Sequence, residues 1–351
     1  MKKTNLILLA LLLILGATTF WFLKSKKNTN VSGYDFEFAV KDTASVYKIF
    51  LADRSGKQVI LTRETSSFIS SGVWRVNNRY KARPDVLHNL LETINRVELK
   101  YRLPRNAVQN VVKDIATNAI KVEIYDKHND KLKAYYVGGV NMDESGTHMM
   151  MENANEPYVT HIPGFNGGLR VRYFTDEIDW RDRMIFTLQP EEIQSVSIEY
   201  PLQKIKSFKL SLRGTKQSGG NTTQVEPLFS MTPRMSTEPV KGLVESFLLG
   251  FKFLGAEGFE NGYDRLDSLK ATVPFAIIQV ATIRGDTQTL KLHPIIPHNA
   301  DGTLILNEQG STAIDKYYAE SNTGDLYQIQ HILFQKIFWA YPNFFNLVTR
   351  H

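Results

Sequence analysis

The sequence predicts an α+β fold: two tandem repeats, each an antiparallel sheet with a helix packed on one face, after an N-terminal transmembrane helix. Three observations predict it. An apolar run of bilayer length stands at the N-terminus, strand-like alternation recurs in hairpin-sized pairs, and the same succession of elements appears twice. The corresponding segments are residues 1–30 (signal anchor), 31–185 (first repeat) and 186–351 (second repeat with a C-terminal aromatic helix).

The N-terminal run extends from Leu6 to Leu23 between Lys2-Lys3 and Lys24, Lys26 and Lys27. Eighteen residues at about 1.5 Å each span roughly 27 Å, close to the thickness of a bilayer core. Trp21 and Phe22 stand at one end, where aromatic rings favour the interface. Only Gly16-Ala17-Thr18 offers a cleavage site, so an uncleaved anchor is expected. A long polar domain behind one such anchor is expected to translocate. This predicts a single-pass protein of a bacterial inner membrane, its large domain periplasmic, with residues 6–23 in contact with lipid.

The first repeat opens with Ser45–Leu51 alternating as a half-buried strand, a turn ADRSGKQ, and a return along Val59–Thr62. The second opens with Ser195–Tyr200, a turn PLQKIK and Phe208–Leu212. A helix follows each. Val86, Leu90, Leu91, Ile94 and Val97 form one stripe behind Pro84; Leu243, Val244, Phe247 and Phe251 form another behind Pro239. Leu90–Ile94 precedes its chemical match Leu243–Phe247 by 153 positions. A second hairpin, Ile120–Ile124 with Leu132–Tyr136, is matched 158 positions later by Ile278–Thr282 with Leu290–Leu292. The third pairs Met149–Asn153 with Tyr158–Ile162, and later Tyr317–Asn322 with Tyr327–Ile332. The joint between repeats falls within residues 174–192, and residues 214–224 (GTKQSGGNTTQ) read as a flexible loop.

Charge excludes one class of partner. The formal net charge is +6, but five of the 42 basic residues lie in the acid-free first thirty. The remainder carries 37 basic and 36 acidic residues, a net of +1, a poor field for nucleic acid. The chain has no cysteine, which removes disulfides, thiolate metal sites and thiol nucleophiles.

Chemical motifs are sparse. The eight histidines show no i, i+4 pair, and His293 and His298 in HPIIPH read as an extended loop with too few ligands for a metal. His161 and His331 occupy equivalent repeat positions. There is no G-x-S-x-G elbow or Walker loop, and GFNGG at 164–168 reads as a turn. No cofactor is expected. Trp74, Arg75, Arg79, Tyr80, Lys81 and Arg83 superficially suit a single-stranded nucleic acid. Strand alternation explains them more simply, with Trp74 and Val76 inward and Arg75 outward. The C-terminal run supplies the candidate partner-binding residues Phe334, Phe338, Trp339, Tyr341, Phe344 and Phe345. A helix with aromatics on nearly every face either closes the core across both repeats or presents them to a partner.

The layout resembles the bacterial domain-of-unknown-function family 4340. The N-terminal anchor carries the resemblance, with Trp74-Arg75-Val76 ahead of Pro84, YYVGG at 135–139, MENANEPYV at 151–159 and Trp180–Met184. It covers most of residues 35–200 and extends more loosely to the second repeat. Residues 112–118 depart from it, reading VKDIATN where the family often has a Gly-Leu-Asp-Pro-like stretch. The resemblance implies a membrane-anchored accessory protein, often encoded beside gliding-type ABC-transporter parts, and carries no catalytic residue. The expected function is therefore a non-enzymatic extracytoplasmic accessory or scaffold, with transporter subunits as possible partners. The alternative is a cell-envelope hydrolase or carbohydrate-active enzyme, whose mark is a cleft lined by converging acids and histidines.

Overall fold

The computed structural model describes residues 35–64, 72–214, 221–299, 301–306, 312 and 314–345. The apolar run 6–23 lies outside them. Among the described residues no helix is long and apolar enough to cross a membrane. The chain divides into two compact units between Asp182 and Arg183.

The first unit contains strands β1 (Lys48–Ala52), β2 (Gln58–Glu64), β3 (Val73–Val76) and β4 (Tyr80–Lys81), then helix α1 (Pro84–Arg96). Strand β5 (Glu98–Arg102) and helix α2 (Arg105–Asn118) follow, then β6 (Ile120–Tyr125), β7 (Lys131–Val140), β8 (Thr147–Met151) and β9 (Tyr158–His161). All nine strands join one sheet in the order β4-β3-β2-β1-β6-β7-β8-β9-β5, antiparallel throughout. The alternation that specifies the strands also specifies their faces. On β1, Ile49 and Leu51 are buried while Lys48 and Phe50 face outward. Helix α1 starts with Pro84, whose missing N–H costs nothing in the first turn. It lays Val86, Leu87, Leu90 and Ile94 on the inner face, in one core with Trp74, Val76, Tyr135 and Trp180. Each side chain so buried contributes about 1.5–3 kcal/mol.

Two features of this unit depart from the predicted plan. Asn77 and Asn78 adopt φ of 51° and 57° and close a tight β3–β4 hairpin, as the left-handed tolerance of Asn allows. Helix α2 adds a second covering on the opposite face, where Gly138 leaves room for Ile115: an added Cβ there would sit 3.0 Å from its Cγ1.

The second unit contains β10 (Met184–Phe186), β11 (Ile193–Glu199), β12 (Phe208–Gly214), β13 (Asn221–Pro227), α3 (Lys241–Leu249), β14 (Leu254–Gly255) and β15 (Gly258–Phe259). It continues with α4 (Leu266–Lys270), β16 (Ala276–Thr282), β17 (Thr287–Pro294), β18 (Lys316–Ser321) and β19 (Leu326–Gln330). Its main sheet runs β13-β12-β11-β16-β17-β18-β19-β15, antiparallel at every pair. Position for position, this is the strand order of the first sheet without β4. In both units a strand that follows the first long helix, β5 or β15, crosses to the far edge, a step the hairpin count leaves out; β14, between α3 and β15, pairs instead with β10. Residues 221–224, read from composition as loop, belong to β13, where Gln224 pairs with Ser211. Likewise His293 and Pro294 of HPIIPH lie in β17, opposite Tyr318 and Tyr317.

The C-terminal aromatic run is not one helix. It breaks into a helical turn, His331–Phe334, and two 3₁₀ turns, Gln335–Ile337 and Tyr341–Phe344, the last begun at Pro342. Nor are its aromatics displayed. Phe334, Tyr341, Phe344 and Phe345 are buried, and Phe338 and Trp339 are packed half-buried against them. The Phe344 ring stands edge-on 4.8 Å from Phe208 and 5.1 Å from Phe247. The run is the lid of the second unit's own core, closing it over β12 and α3.

Candidate functional site

The outward face of the first sheet, between β2 and β8, gathers four mutually paired charges beside aromatic side chains. Register builds it. Phe50 stands between Ile60 and Glu123, Lys48 opposite Tyr125, and Lys121 opposite Tyr136. Because side chains on a strand alternate, Lys121, Glu123 and Tyr125 all point the same way. The bulge at Ile124/Tyr125 then sets Lys131 opposite Tyr125. Glu152, just past β8, is fixed by its N–H donating to Ala134 O at 2.9 Å.

Four charges form a closed square of alternating sign. Lys121 Nζ lies 2.9 Å from Glu123 and 3.1 Å from Glu152; Lys131 Nζ lies 3.0 Å from each. The Tyr125 hydroxyl donates to the other Glu123 oxygen at 2.8 Å. Burial works to raise the Glu123 pKa, but hydrogen bonds from Lys121, Tyr125 and Lys131 outweigh it and hold the carboxyl at about 2. Glu152 is lowered for the same reasons, and Lys121 is raised chiefly by its hydrogen bond to Glu123. Beside the square, Lys48, Phe50, Ile60, Glu123 and Tyr125 line a shallow depression of about 150 Å³. Lys48 Nζ sits 4.0 Å from the Tyr125 ring centroid and also contacts the side-chain oxygen of Asn129.

A general acid or base works best with a pKa near the operating pH, and Glu123 stays ionised far below it. Half-buried aromatic and aliphatic groups beside a fixed charge pattern instead give a partner both contact area and register. The matching face of the second sheet is built differently: Ser195, Ser197, Ile277 and Gln279 stand beside an open pairing in which Glu320 lies 3.5 Å from Lys270 and 3.6 Å from Lys291.

The sequence-predicted candidates lie elsewhere. Of the six C-terminal aromatics, Phe334, Tyr341, Phe344 and Phe345 lie in the second core, and Phe338 and Trp339 pack half-buried against it. In the basic-aromatic set, Trp74 and Val76 are buried in β3, with Arg75 outward and paired to Glu64 at 3.1 Å. Lys81 pairs with Asp182 at 2.8 Å and Arg83 with Asp85 at 2.7 Å, while Arg79 and Arg181 flank the Tyr80 ring. These local partners leave little charge for a polyanion. His293 is buried, with Nδ1 2.8 Å from Thr272 Oγ1 and Nε2 without a hydrogen-bond partner among the described residues. His298 is exposed, with its Nδ1 on Ile296 O. Among the described residues no three His, Cys, Asp or Glu side chains cluster as metal ligands would. The alternation of Lys121, Glu123 and Tyr125 was readable in sequence; their meeting with Lys131 and Glu152 depends on register across three strands.

The comparisons with known proteins are negative. No family model, curated protein or solved structure matches the chain.

Proposed function

We propose that the chain is a non-enzymatic, membrane-anchored accessory or scaffold protein of a bacterial inner-membrane assembly of the ABC-transporter or motility type. In this reading residues 6–23 hold it in the bilayer and its two units lie on the periplasmic side. The two units are read as a tandem duplication, one copy of which has specialised its outward sheet face. The resemblance to family 4340 and the apolar run support the location. The observation that carries the role is the charge square with its aromatic ledge. It is closed by four ion pairs at 2.9–3.1 Å, where the second unit's outward face has an open Lys270–Glu320–Lys291 pairing at 3.5 and 3.6 Å, and it is suited to hold a partner in register.

The test is a photo-crosslinking amino acid placed at Phe50 in the full chain, in living cells. The expected result is an adduct with a transporter-type membrane subunit, lost when Lys121→Glu and Lys131→Glu reverse the square. The same probe at Gln279, on the matching face of the second unit, is expected to give none. Equal adducts at both positions, or hydrolysis of an envelope polymer by the purified chain, would overturn the reading.

A further inference from the structure

The turn between β11 and β12 displays what its counterpart in the first unit does not. Between β1 and β2 the chain turns through Asp53-Arg54-Ser55-Gly56-Lys57, all polar or glycine. Between β11 and β12 it turns through Pro201-Leu202-Gln203-Lys204-Ile205-Lys206, with Leu202 79% and Ile205 62% exposed. The two sheets share one strand order, so this exposure is not a requirement of the topology. The segment leaving β13 joins the same tip. Leu228 N donates to Ser207 O at 3.1 Å, Lys204 Nζ lies 5.4 Å from the Phe229 ring centroid, and Met231 is 67% exposed.

The tip is firmly held. Tyr200 N donates to the buried Ser207 Oγ at 2.8 Å, Lys206 N to Gln203 O at 2.9 Å, and Ser207 N to Lys204 O at 3.0 Å. Its apolar side chains are therefore presented from an ordered turn. Among the described residues no carboxylate lies within ion-pairing distance of Lys204 or Lys206; the nearby Glu226 is engaged by Arg234 at 3.2 Å. Large apolar groups rising between unpaired ammonium groups match the two components of an interfacial membrane contact. The hydrocarbon enters the headgroup boundary while the lysines meet anionic phosphates. Charge complementarity thus favours lipid over an apolar protein groove.

We propose that the 201–206 tip, with Leu228 and Met231, docks on the surface of an anionic bilayer. This goes beyond the scaffold reading and does not depend on it, since the contact needs lipid alone.

The absence of cysteine makes the test specific. The full chain carrying Leu202→Cys is labelled with an environment-sensitive fluorophore and reconstituted in vesicles of phosphatidylcholine and phosphatidylglycerol, roughly two to one, so that the surface is strongly anionic. Spin-labelled lipid is expected to quench the label several-fold more than one at Arg54→Cys, in the matching turn of the first unit. High salt, or Lys204→Glu with Lys206→Glu, is expected to remove most of that difference. Ile205→Cys repeats the measurement at a second exposed position. Equal quenching at both turns overturns the proposal. So does a blue-shifted label that lipid does not quench, which would place protein on the tip: a second copy, or residues 6–23.

Discussion

At the scale of single residues, Glu123 shows how neighbouring donors hold a half-buried carboxyl ionised. Its folded pKa of about 2 lies below the usual carboxylate value of 4.5. The ionised form is therefore favoured by folding, and the associated stability is fully present above about pH 4.5 and lost as pH falls toward 2. Glu123→Gln is expected to lower the unfolding free energy by about 1–2 kcal/mol at neutral pH, a charged hydrogen-bonding partner being removed from two half-buried lysines. Urea titrations across that acid range are expected to show the two curves converging. A gap that persists at pH 2 would mean that packing, and not charge, accounts for the loss. Lys121, Glu123 and Tyr125 also mark how far the site was legible. Their common face follows from strand period alone. Lys131 comes from β7 and Glu152 from the turn after β8, and no local pattern announces a bulge that shifts register by one.

Among the elements, the C-terminal run is where composition misled most. Ten apolar and aromatic residues in close succession suggest a helix, but Pro342 restarts the chain and the rings turn inward in three short pieces. Their order depends on what they cover. Phe344 has neighbours on β12 and α3, and Gly250 at the end of α3 admits Ile337 so closely that an added Cβ would lie 2.7 Å from its Cγ2. Two substitutions follow from this packing. Phe344→Ala is expected to cost about 3–5 kcal/mol by opening a cavity. Gly250→Ala, at an ordinary φ of −57°, is expected to cost about 1–3 kcal/mol by overpacking alone. Guanidinium titration of each checks the order; a neutral Gly250→Ala would show that Ile337 can move. By contrast α1 was fully legible, because Pro84 marks its start and its stripe repeats at helical spacing.

At the scale of the whole molecule, the order of elements in each half and the partners within its three hairpins could be read from sequence, while the pairings that join the hairpins into one sheet could not. Periodicity reports which face is buried, but β5 (ELKYR) is too polar and β15 (Gly258–Phe259) too short to declare the edge it joins. The proposed membrane anchoring makes its own prediction. A single cysteine at Arg54 is expected to react with a membrane-impermeant maleimide in cells whose outer membrane has been made leaky, and labelling only after inner-membrane lysis would place the domain in the cytoplasm. The crossing strand has a consequence in time. Leu99 finds its partner Thr160 roughly sixty residues further along, and a closure of that length is slow beside the making of the hairpins between them. In a chain emerging N-terminus first, residues 98–102 must wait unpaired until the last hairpin of their own unit has been delivered. Each half thus completes its sheet only when its final strand arrives, so the joint at Asp182 and Arg183 falls where a finished unit can be released before the next begins.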